Sequence, residues 1–216
     1  MKKLIFALAV FCTMQLSAQN SFYKGALVFD MNTGIDIYAV KQHYEIKGSN
    51  ISKDTVNAAG SHGPNFGLQY GVLNWLGIGL RYKYDTYYTS ADKYTHIRPS
   101  VFGQEIGLVV DAHPVRVEHF DLITGFNVGW SSMIFHTHDT YATEIYGSGS
   151  WFEMHIIPRL YIGRVGLNLN FSIPFINYNN LTTSNDRLNT IFFSSWKASG
   201  FGIGCGISFR FLKPRE

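Results

Sequence analysis

Only two cysteines occur in this chain, Cys12 and Cys205, too few for a disulfide-stapled scaffold. Neither sign of charge is in large excess. Eighteen Lys+Arg stand against 15 Asp+Glu, and no run of basic residues forms a tail. That balance argues against a nucleic-acid partner. After residue 12 there is no long continuous apolar run. This excludes a membrane-spanning helix, which needs roughly 20 such residues. The chain is instead rich in aromatics, at 16%, and in glycine, with 21 residues.

The N-terminus reads as a secretory signal. Met1-Lys2-Lys3 is a positive n-region, an apolar run covers residues 4–11, and Leu16-Ser17-Ala18 precedes Gln19. Cleavage is expected after Ala18, leaving residues 19–216 as one domain. Cys12 follows Val10-Phe11 rather than a small residue, which argues against lipoprotein-type cleavage there. Cys12 then leaves with the leader, so Cys205 is the one thiol left and no internal disulfide is possible. Losing Lys2 and Lys3 brings the processed chain close to neutrality.

The mature sequence alternates. Between residues 198 and 211, Phe201, Ile203, Cys205, Ile207, Phe209 and Phe211 fall on one side of an extended chain. Gly202, Gly204, Gly206, Ser208 and Arg210 fall on the other. The same signature predicts seven further strands, over residues 25–40, 65–73, 76–88, 100–112, 120–132, 151–162 and 165–175. Lengths near ten residues suit tilted membrane-spanning strands. Short connections at residues 74–75, 113–119 and 163–164 alternate with long polar ones, notably 42–64 and 177–197. Short turns at one end and long loops at the other are the outer-membrane pattern. The expected fold is all-β: an eight-stranded antiparallel up-and-down transmembrane β-barrel.

A soluble ligand-binding barrel would invert the pattern, with apolar residues inside. An eight-stranded barrel has little interior space, so the glycine-rich face fits inside and the Leu/Phe/Ile face fits lipid. A stripe of Leu and Phe on every strand would aggregate in water. Trp and Tyr favour the membrane interface, so Trp75, Tyr82, Tyr84, Trp130, Trp151, Tyr178, Trp196 and Phe211 are expected as an aromatic girdle.

The chain resembles the small eight-stranded outer-membrane barrels of Gram-negative bacteria, of the OmpX kind or the OmpA membrane domain. The Leu-Ser-Ala-Gln-Asn cleavage region and residues 66–79, FGLQYGVLNWLGIG, resemble the Bacteroidetes "outer membrane protein beta-barrel domain" group. The resemblance covers the whole mature chain and implies a bacterial outer-membrane location and a porin-like shape. It departs at the C-terminus: such proteins commonly finish on an aromatic, whereas here Phe211 is followed by Leu-Lys-Pro-Arg-Glu. Phe209 and Phe211 are then the candidate signal for the barrel-assembly machinery.

The inward face collects Asp30, Asp36, Asp85, Glu105, Asp111 and Glu153 against Arg81, Lys83, Arg159 and Arg210. Buried charge requires pairing, so an interior ion-pair network is expected, with Arg210 reaching Asp30 across the seam between first and last strands. His136-Thr137-His138-Asp139 is a weak metal-binding pattern, and His96, His113, His119 and His155 are scattered. Histidine, Asp and Ser in the loops show no spacing that marks a catalytic triad. Gly202-x-Gly204-x-Gly206 lacks the strand-to-helix setting of a phosphate loop. The sequence thus predicts no catalytic residue, cofactor or metal. It predicts a structural, adhesive or accessory envelope role, with outer-membrane lipid and lipopolysaccharide as partners and no nucleic acid. Alternatives are a narrow channel and a lipid-modifying enzyme.

Overall fold

A computed structural model describes residues 21–89, 98–138, 143–179, 181–185, 187, 189 and 192–211. The expected leader and His96 lie outside these residues. Strands β1 (Leu27–Ile46), β2 (Ser52–Gly71), β3 (Leu76–Tyr88), β4 (Ser100–Val117) and β5 (Phe120–His136) make the first half. Strands β6 (Glu144–Ile162), β7 (Val165–Tyr178), the two-residue β8 (Thr182–Thr183) and β9 (Phe192–Arg210) make the second. Every pairing is antiparallel: β1 to β6 each pair the next strand in the chain, β7 pairs β9 across the short β8, and β9 pairs β1. The ring therefore closes through eight strands, with β8 only capping the loop end of β6. No described helix is long and apolar enough to cross a membrane.

Alternation decides the faces. Met31, Ile35, Leu68, Leu80, Leu108, Val128, Ile156, Leu167 and Ile203 point outward and are exposed. Asp30, Asp36, Arg81, Lys83, Asp85, Glu105, Asp111, Glu153 and Arg159 point inward and are buried. Polar side chains thus line the lumen while aliphatic ones coat the outside, the reverse of a water-soluble barrel.

Two connections differ from expectation. Residues 42–64 are not a loop: the β1–β2 ladder runs unbroken from Leu27↔Tyr70 to Glu45↔Ser52. Apolar alternation fades there because both faces of a projecting hairpin meet water, yet main-chain pairing continues. Gly48, with φ 76°, closes the hairpin in the left-handed region that glycine enters without cost. Likewise β4 continues past Ala112 to Val117, with a register shift between Ala112 and Val115. Pro114 lies in that shift and brings no N–H to the ladder.

The lumen is apolar at its loop end. Tyr38, Val101, Met133, Trp151, Ile176, Tyr178 and Leu181 form a buried cluster, with Trp196 packed against it. Three members of the expected girdle are therefore inside. Trp151 is 1% exposed and Tyr178 5% exposed, while Trp196 is half-buried against them. Their strand parity accounts for this: Trp151 shares a face with Glu153, Tyr178 with Ser172, and Trp196 with Gly202. Trp75, Tyr82, Trp130 and Phe211 are exposed, and Tyr84 is half-buried beside Phe102.

Candidate functional site in the barrel lumen

Inward charges are stacked in layers along the axis. At the turn end, Arg159 of β6 sends Nη2 to both oxygens of Asp30 on β1, at 2.9 and 3.1 Å. Its Nη1 donates to the Tyr161 hydroxyl at 3.1 Å and lies 3.6 Å from Asp121. Asp121 also accepts from His113 Nδ1 at 2.9 Å. One guanidinium therefore serves two buried carboxylates, hydrogen-bonding Asp30 and standing within ion-pair distance of Asp121. Phe22 stacks on the His113 ring with centroids 3.5 Å apart, so residues before β1 close the lumen from below.

Arg210 does not reach Asp30. It donates to the carbonyls of Ser21, at 2.6 Å, and Gly163, at 3.1 Å, and lies over the Tyr161 ring. Position explains the difference. Val28, not Asp30, is the register partner of Arg210, so its side chain starts nearer the barrel mouth and ties the N-terminal segment down. Tyr23 lies in that same segment. Burial raises its phenol above the ordinary range, against the opposing pull of Arg210.

Above this layer, Asp111 accepts from His155 Nε2 at 2.6 Å and from Gln69 Nε2 at 2.7 Å. Next, Glu153 lies 3.6 Å from Arg81 and accepts from Asn127 at 2.9 Å. Higher still, Lys83 pairs with Asp36, which also accepts from Tyr38 and Ser61, and with Asp85 at 2.9 Å. Glu105 accepts from the hydroxyls of Tyr87, at 3.1 Å, and Ser131, at 3.2 Å. Asp121, His113, His155, Gln69 and Asn127 belong to these layers but were not among the expected network. Each lies on the inward parity of its strand, which is the signal that could have found them.

The loop histidines sit elsewhere. His136 Nδ1 lies 3.0 Å from Glu144, and His138 Nε2 lies 2.8 Å from the Ser100 hydroxyl. Asp139 lies outside the described residues, which hold no cluster of three or more His, Cys, Asp or Glu suited to a metal.

The crystal structure of outer membrane protein OprG from Pseudomonas aeruginosa superposes with a TM-score of 0.62. Identity is 9%, and the match covers 89% of this chain and 98% of that one. This is the fold of the small outer-membrane β-barrels. The solid-state NMR structure of outer membrane protein AlkL in lipid bilayers agrees, at TM-score 0.51 and 12% identity, covering 93% and 96%. A third similar structure is the outer membrane protease OmpT from Escherichia coli, at TM-score 0.46 and 11% identity, covering 91% and 99%. No family model and no curated protein matches the sequence.

Proposed function

We propose that this chain is an integral barrel of the bacterial outer membrane that serves the envelope structurally, as an adhesive or accessory element, and not as a pore or enzyme. One observation carries the reading: side chains cross the lumen at both ends and in the middle, leaving only a water-sized cavity of about 20 Å³. Phe22 and the Arg159 cluster fill the turn end, paired charges fill the middle, and the Tyr38–Trp151–Tyr178 cluster fills the loop end. What such a barrel offers its surroundings is its outer wall and its projecting hairpin. The wall suits outer-membrane lipid and lipopolysaccharide. The β1–β2 hairpin, with Lys41, Lys47 and Lys53, suits a partner on the cell surface. Phe209 and Phe211 remain the candidate recognition element for barrel assembly.

Planar-bilayer recording of the purified protein tests the reading. A filled lumen predicts brief flickers at most, whereas a steady ohmic conductance would contradict it. Comparing lipid A from producing and deleted cells addresses the enzymatic alternative. Identical lipid A is expected.

A further inference from the structure

Midway up the lumen lies a cavity of about 20 Å³, room for one water molecule or one bare cation. It exists because β1 and β9 approach each other through paired glycines, Gly34 and Gly204. A Cβ on Gly34 would sit 2.8 Å from the Ile203 carbonyl oxygen. Asn32, Asn65, Asn170, Glu153, Asp36 and Lys83 line the cavity.

Three of these side chains have an unmet need. The Oδ1 atoms of Asn32, Asn65 and Asn170 are buried with no hydrogen-bond partner, in residues only 8%, 5% and 8% exposed. A buried carbonyl oxygen left unpaired is costly, and three around one cavity need a common explanation. All three are acceptors, as is Glu153, and a single water has only two protons to give. Lys83 also lines the cavity, with its ammonium engaged by Asp36 and Asp85.

Charge points the same way. In the layers around the cavity, Asp36, Asp85 and Glu153 face only Arg81 and Lys83 among the described residues. At the turn end each carboxylate instead has Arg159, His113 or His155 beside it. Hard cations take shells made entirely of such carboxylate and amide oxygens.

We propose that this cavity holds one hard cation, bound by the amide oxygens of Asn32, Asn65 and Asn170 and balanced by Glu153. The ion would tie β1, β2, β6 and β7 together across the lumen, and it serves the barrel whether or not the lumen conducts.

The test uses the full-length protein in detergent, stripped with chelator and dialysed into choline buffer, with ²²Na⁺ and ⁴⁵Ca²⁺ as separate probes. Saturable uptake approaching one ion per chain, for either probe, is the expected result. Asn170→Leu should lower that uptake at least tenfold. Asn168→Leu, which removes an unpartnered oxygen from outside the cavity, should leave it intact. Retention of neither ion above the detergent blank would overturn the proposal, as would equal loss in both variants. Should Asn170→Leu fail to fold, the unfolding midpoint of the unaltered protein decides. It must rise with the ion over the same concentration range as uptake, and a flat midpoint rejects the site.

Discussion

Arg159 holds Asp30, Asp121 and the Tyr161 hydroxyl, all of them buried, so its removal strands two carboxylates without a cation. Breaking a buried pair from one side costs about 3–5 kcal/mol. Arg159→Leu should therefore lower stability to urea unfolding in vesicles by that order. Arg210→Ala should cost only about 1 kcal/mol, because Arg210 donates to main-chain carbonyls at the half-exposed barrel mouth. Equal midpoints for the two variants would contradict this division. Trp151 and Trp130 offer a second comparison, one being inside the lumen and the other outside. Brominated lipids should quench Trp130 strongly and leave Trp151 nearly unaffected. Equal quenching would mean that Trp151 faces the bilayer. The sequence pattern already held the correct answer for Trp151, since it alternates in step with Glu153 and His155. The general preference of tryptophan for interfaces pointed the other way, and strand parity is the stronger constraint because a one-residue slip would invert the whole of β6. The choice of Arg159 over Arg210 as partner of Asp30 was not legible. It depends on register between β1 and β9 and on reach across the lumen, neither of which alternation encodes.

Strands show where periodicity stops being informative. Within the apolar band, residues 76–88 and 165–175 alternate cleanly, and the structure has β3 and β7 there with ends close to those expected. Beyond the band, β1 and β2 continue for many residues whose side chains meet water on both sides. The hydrophobic signal vanishes there while hydrogen bonding persists, so residues 42–64 read as a loop. The hairpin tip therefore contributes little to the membrane-embedded part. Replacing residues 44–53 by Asn-Gly, a two-residue turn suited to tight hairpins, should shift the unfolding free energy by less than about 1 kcal/mol. A collapse of the folded, heat-modifiable band on electrophoresis would show that the tip is needed for the barrel itself.

For the whole molecule, eight strands enclose a narrow lumen lined by layered charges below an aromatic cluster. Sequence alternation was enough to indicate closure, strand number and which face is greasy. The apolar loop end of the lumen was less visible, because Tyr38, Val101 and Met133 come from three strands that are far apart in the chain. The account depends on hydrocarbon covering the aliphatic wall, and Cys205 lies on that wall, exposed between Thr33 of β1 and Leu169 of β7. A nitroxide attached to Cys205, in protein expressed from Gln19 and reconstituted into liposomes, reports its surroundings by power-saturation electron paramagnetic resonance. Relaxation by dissolved oxygen should greatly exceed relaxation by a water-soluble nickel chelate. Stronger relaxation by the nickel chelate would place water against the wall and contradict the membrane-spanning reading.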